Sequence, residues 1–178
     1  MAVMGEYEDV SVRENIRLRL SREDIMSIWK RCGMTADYGA DYVSTYFGGI
    51  KEIGNSASTI MNELIENAAK YSSESGGEIE IKVLVMDNEV IFQVNNFVDA
   101  EKFYSFREFV ERVLESDDVN ALYFDRLASL NEGDQEKSGI GLLSIISFFN
   151  LKFGLKFKSV DSSSHYMVSV QAAMPVKR

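Results

Sequence analysis

Three polar side chains, Glu63, Asn67 and Lys70, recur at helical spacing in the stretch NELIENAAKYS, Asn62 to Ser72. At about 3.6 residues per turn they fall within roughly 60° of arc. A separate stripe of Ile60, Met61, Leu64, Ile65 and Ala68 supplies an apolar face. A carboxylate in such a row can act as a general base, an amide oxygen can ligate Mg²⁺, and an ammonium can hold a phosphate. A second element, KSGIGLLSII from Lys137 to Ile146, places Gly139 and Gly141 at the opening of an apolar helix. Without Cβ atoms they let an anion approach the backbone, where the helix presents free N–H groups and the positive end of its dipole. Each element also has a plainer reading: a solvated helix face carries the first spacing, and close helix packing accounts for the second.

The elements that must position these residues follow from periodicity. Ser11 to Leu20 alternates as a half-buried strand, with Ile16, Leu18 and Leu20 on one face. A short helix follows from an N-cap at Ser21 through Cys32, stopped by Gly33, then a helix over 36–47 and one over 56–72 that carries the polar row. Ile79 to Val85 and Val90 to Val94 alternate around Asp87 and Asn88 and form a β-hairpin. An insert over 97–137 has helical apolar spacing, and the glycine-led helix runs from Gly139 to Asn150. Two alternating strands, Phe153–Phe157 and Tyr166–Val170, close the chain around the turn DSSS. Hairpins in place of βαβ crossovers indicate an α+β fold in a single domain, a two-layer sandwich with helices over one face of a mostly antiparallel sheet.

Composition narrows the function. The chain has 178 residues, 46% of them hydrophobic, and a formal net charge of −9. Such a charge argues against a nucleic-acid backbone as ligand but not against a single nucleotide. The apolar run Ile140–Leu151 is shorter than the roughly 20 residues a membrane span needs, so no membrane insertion is expected. One cysteine, Cys32, cannot form an internal disulfide, and the start lacks the pattern of a signal peptide; a cytoplasmic location is the expectation.

Taken together, NELIENAAKYS, a hairpin, an insert of about 40 residues and SGIGLLSII resemble the N-box, ATP lid and second glycine box of the GHKL (Bergerat) ATPase superfamily. The resemblance implies ATP and Mg²⁺ as cofactors. It matches Glu63 to the acid that activates the attacking group, Asn67 to the Mg²⁺ ligand and Lys70 to a phosphate contact. It also matches Gly139 and Gly141 to the glycines of the phosphate cradle, with Ser138 beside them, while Lys137 replaces the leading glycine of that box and either reaches phosphate or is solvated. The first glycine box departs from the family: Asn95, Phe97 and Asp99 stand where Asp-x-Gly-x-Gly is usual, with the amide oxygen of Asn95 available to accept the adenine amino group. The only histidine, His165, lies in the final strand rather than on a helix that could present a phosphoacceptor. The resemblance therefore points to the anti-sigma-factor serine kinases and the SiaB-like proteins. It implies a serine/threonine kinase in a bacterial partner-switching pathway with a STAS-domain partner, and is compatible with a homodimer. The altered box equally suits an inactive domain kept as a protein-binding module.

Overall fold

Period-two alternation dictates the centre of the sheet. In the hairpin of β3 (Glu78–Val85) and β4 (Glu89–Asp99), Ile79, Ile81, Val83 and Val85 share a buried face with Val90, Phe92 and Val94. Each such side chain, fully buried, contributes roughly 1.5–3 kcal/mol. The hairpin turns through Asp87 and Asn88, closed by Met86 N–H donating to Glu89 O at 2.9 Å. The computed structural model describes residues 1–9, 15–74, 77–129, 139–160 and 164–176. Within them the remaining strands are β1 (Ala2–Gly5), β2 (Ile16–Ser21), β5 (Lys152–Ser159) and β6 (His165–Pro175). They form one antiparallel sheet in the order β1-β5-β6-β4-β3-β2.

The helices are α1 (Arg22–Ser27), α2 (Lys30–Tyr46), α3 (Lys51–Tyr71), α4 (Ala100–Glu115), α5 (Val119–Ala128) and α6 (Ile140–Phe149). α3 buries Ala57, Ile60, Met61, Leu64, Ile65, Ala68 and Ala69, and α6 buries Leu142, Leu143, Ile145 and Ile146. Both helices join the inner sheet face in one core. The fold is thus the α+β two-layer arrangement expected, with an open antiparallel sheet and a helical layer.

Several boundaries differ from the periodicity reading. Gly33 does not stop a helix; it lies in the first turn of α2, and the chain breaks instead at Ile28 and Trp29. α3 begins at Lys51 and passes through Gly54, whose missing Cβ lets the chain run close to Ser44 of α2. A glycine so near a helix start costs little, because that turn lacks a full set of internal hydrogen bonds anyway. The first strand is described from Ile16 only, since residues 10–14 lie outside the described part, as do 161–163 of the DSSS turn. β4 continues through Asp99, so the insert begins after it, at Ala100.

β1 carries no alternation signal, yet it pairs with β5 from Ala2↔Phe157 to Gly5↔Gly154. The chain then crosses the outer sheet face. Glu6 N–H donates to Phe153 O at 2.9 Å, and the hydroxyls of Tyr7 and Ser169 lie 2.7 Å apart. Glu8 N–H donates to Gln171 Oε1 at 2.7 Å, while Gln171 Nε2 donates to Glu8 O at 2.8 Å. A Cβ on Gly154 would overlap the carbonyl of Glu6, so only glycine admits this strap. Gly154→Ala is expected to lower stability by about 2 kcal/mol in urea titrations. Hydrogen exchange should speed up first at Glu6 and Glu8.

Candidate functional site

The polar row on α3 divides once the helix is packed. Asn67 lines a cavity of about 760 Å³ between α3, α4, α5 and the start of α6. Gly139 lines the same cavity. The size lies within the roughly 300–1,000 Å³ usual for small-molecule sites. Gly139 is the N-cap of α6 with φ +84°, a left-handed conformation that favours glycine, and a Cβ there would press on the Phe109 ring. Two residues 72 positions apart in the chain therefore meet at one opening. Gly141, expected beside Gly139 in the cradle, does not line it, because it packs against Glu63 of α3.

Asn67 Nδ2 is buried but finds no hydrogen-bond partner among the described residues. A buried amide left in this state costs roughly 1–3 kcal/mol. Turned end for end, the same group offers an oxygen to a cation or a donor to an anion. No cluster of three or more His, Cys, Asp or Glu side chains able to hold a metal occurs among the described residues. A divalent ion here would take most of its ligands from water and from a bound molecule.

Glu63 stands one turn before Asn67, half-buried, and does not line the cavity. A Cβ on Gly141 would overlap its carboxylate, so the carboxylate lies directly on the α6 backbone. Burial, reinforced by the neighbouring Glu66 and opposed by Lys70, raises the Glu63 pKa above the usual carboxylate value. Such a carboxylate is a better proton acceptor near neutral pH than a solvated one.

Two other expected contacts are corrected. Lys70 does not reach the cavity: it is exposed, its Nζ sits 3.4 Å from Glu66 Oε2 and 5.5 Å from the centroid of the Trp29 ring. An i,i+4 ion pair and a cation–π contact hold it on another flank of the helix. Asn95 faces the wrong side of the sheet. Its Nδ2 donates to Glu80 Oε2 at 2.9 Å and its Oδ1 accepts from Gln93 Nε2 at 2.9 Å, all on the outer face. There Glu80 is held below the usual carboxylate pKa: burial works against this, but the hydrogen bond from Asn95 and the charges of Lys82 and Arg17 outweigh it. Lys137 and Ser138 lie outside the described residues.

The cavities are lined instead by polar residues that the motifs did not single out. Asn96, 5% exposed, points inward and lines a second, smaller cavity of about 30 Å³ with Asn67, Phe106, Leu142 and Val168. From α4, Lys102 and Arg112 line the larger cavity, with Arg126 from α5. Among the described residues, three basic side chains against the two acids Glu101 and Asp125 leave the lining of that cavity more positive than the −9 chain as a whole. Both signals were present in the sequence. Asn96 falls on the even-numbered, apolar side of β4 with Phe92 and Val94, and Lys102, Phe106, Phe109 and Arg112 follow an i, i+4, i+7, i+10 helical row.

In comparisons with known proteins, no family model matches the chain and no curated protein matches it. Among the described residues no helix is long and apolar enough to cross a membrane.

The Glu63 environment has a measurable consequence. A carboxyl whose folded pKa is raised binds protons more tightly when folded, so its ionisation destabilises the fold as pH rises from the unfolded value of 4.5 through the folded one. Glu63→Gln should therefore raise the melting temperature at pH 7 by about 2 °C. The gain should vanish below pH 4, where both states hold the proton.

Proposed function

We propose that the chain is a GHKL-type ATP- and Mg²⁺-binding regulator that acts as a serine/threonine kinase on a STAS-domain protein in a bacterial partner-switching pathway. The observation that carries this reading is the meeting of Asn67, with its unpartnered amide, and Gly139 at one cavity. The motifs for a metal ligand and a phosphate cradle sit apart in sequence and together in space.

Each residue has a role on this reading. Asn67 would hold Mg²⁺ through its amide oxygen; when bound, the ion neutralises charge on the phosphates. The backbone at Gly139 and the N–H groups of the first α6 turn favour phosphate oxygens. Arg112 and Lys102 replace Lys70 as the cations nearest the phosphates. Asn96 replaces Asn95 as acceptor for the adenine amino group. Glu63 lies beside the cavity and not on its wall, so as general base its carboxylate would have to swing off Gly141; it would then take the proton from the partner's hydroxyl as that oxygen attacks the terminal phosphorus and the bond to the leaving ADP breaks. Its raised proton affinity supports this role.

One observation favours the second reading, a protein-binding module without catalysis. The inner cavity, at about 30 Å³, holds little more than a water molecule, with Phe106 at its border. A purine would have to displace that ring.

Thermal-shift titration separates the two. With millimolar Mg²⁺-ATP the kinase reading expects a clear rise in melting temperature, since ligand at 100 times Kd stabilises by about 2.7 kcal/mol. Asn67→Ala should remove the rise. Arg112→Ala should weaken ATP binding about tenfold while leaving adenosine binding unchanged. Absence of a shift with ATP and ADP would support the module. Transfer of labelled phosphate from ATP to a STAS-domain protein, lost in Glu63→Gln, tests the reaction itself.

A further inference from the structure

The C-terminus of α3 is stitched to β4 at the residue that enters the inner cavity. Ser72, the C-cap of α3 and 2% exposed, donates to Ala68 O twice, from its N–H at 2.9 Å and from its hydroxyl at 2.6 Å. Ser73 N–H donates to Phe97 O at 2.8 Å, which fixes the helix end beside the strand. Into this corner Asn96 sends its Nδ2, which donates to Ser72 Oγ at 3.0 Å and to Ala68 O at 3.3 Å.

The donor count leaves one orientation for that amide. Ala68 O can only accept. The Ser72 hydroxyl proton is committed to Ala68 O, so its oxygen meets Asn96 as an acceptor. Both neighbours therefore require N–H groups from Asn96, and turning the amide over would set its oxygen against two acceptors. The group left for the cavity is Oδ1, which accepts and cannot donate.

We infer that Ser72 is a positioning residue: it locks Asn96 as a hydrogen-bond acceptor and so makes the cavity select a purine with an exocyclic amine over one with an oxo group at that position. The inference rests on the nucleotide reading above and adds the basis of its base selectivity. A six-amino purine offers Oδ1 an N–H. A six-oxo purine offers a second acceptor, and an unmatched buried polar pair discriminates more sharply than a missing apolar contact. Asparagine is chemically ambiguous until something fixes its two ends, and here the helix cap fixes them.

The test measures a ratio, which general loss of stability does not move. Calorimetric Kd values for Mg²⁺-ATP and Mg²⁺-GTP are compared in the full chain, in Ser72→Ala, in Asn96→Ala and in the double variant, with melting temperatures as the check on folding. The wild type should prefer ATP. Ser72→Ala should reduce that preference about tenfold, the worth of roughly one hydrogen bond, mostly through tighter GTP binding. Ser72→Thr, which keeps the hydroxyl, should restore the preference. In the Asn96→Ala background Ser72→Ala should change the ratio no further, because its route to the ligand is gone. An unchanged ratio in Ser72→Ala, or equal weakening of both nucleotides, would leave Ser72 as a helix cap alone and overturn the inference while the nucleotide reading stands. Equal wild-type affinity for the two nucleotides would overturn it in the same way. A wild type that binds neither removes the inference and the nucleotide reading together.

Discussion

Close approach of α6 to α3 at Gly141 sets the surroundings of Glu63. Any side chain at 141 would occupy the space of the Glu63 carboxylate, the end of a flexible side chain, which would have to swing off the α6 backbone. Gly141 is thus a packing residue, while Gly139 lines the cavity. The same closeness removes water from one side of Glu63, and this desolvation is the first cause of its raised pKa. A fold selected for stability alone would place a neutral side chain there. Keeping the acid sacrifices some stability for a group that takes up protons readily, a common bargain at reactive sites.

The sheet serves the site through a difference between its faces. Its inner face is apolar along β4 until Asn96, and a polar group at that depth is tolerated because the end of α3 satisfies its two N–H donors. Its outer face carries buried polar side chains: Ser169 meets the Tyr7 hydroxyl, Gln171 exchanges reciprocal hydrogen bonds with the Glu8 backbone, and Gln93 donates to Asn95 within the sheet. β4 runs directly into α4 with Asp99 as the N-cap, and Asp99 Oδ1 lies 3.4 Å from His165 Nε2 on β6. The covering helix is thus anchored at the sheet, and its row of Lys102, Phe106, Phe109 and Arg112 falls over the ends of α3 and α6.

Local pattern made much of this legible. Alternation located the hairpin and the two final strands, and helical period located α3, α4 and α6, because those signals arise from which residues face the core. Glycine misled at 33, which lies in the first turn of α2 with open space around it instead of ending a helix, and α3 likewise passes through Gly54, which packs closely on Ser44. β1 escaped notice because an edge strand of four residues, AVMG, is too short to show a period. The expected convergence of Asn67 and Gly139 on one cavity is found, because there the spacing and the packing coincide. Asn95 and Lys70 lie away from it, since a motif counted along the chain does not say which way a side chain points. Applying the period-two rule from Phe92 and Val94 assigns the inward place to Asn96. Nothing comparable predicts Lys70, since its position follows from Glu66 and Trp29, and the Trp29 contact exists only after α2 has packed on α3.

The two cavities differ in character, and that difference constrains any ligand that would use both. The outer one is wide and carries cations; the inner one is narrow, apolar and ends at Asn96, and both share Asn67, Tyr71, Phe106 and Leu142. Such a site suits a molecule with a charged end in reach of water and a flat end buried between helix and sheet. On a chain of net charge −9 an anion is repelled at long range, so attraction is confined to roughly a Debye length around Lys102, Arg112 and Arg126. The wide outer cavity accepts the charged end as it stands, whereas the inner one, at about 30 Å³, admits the flat end only if the Phe106 ring turns aside. Electrostatic capture therefore precedes base recognition on the nucleotide reading. Discrimination then resides in the step that opens the core, where a mismatched polar group is most costly.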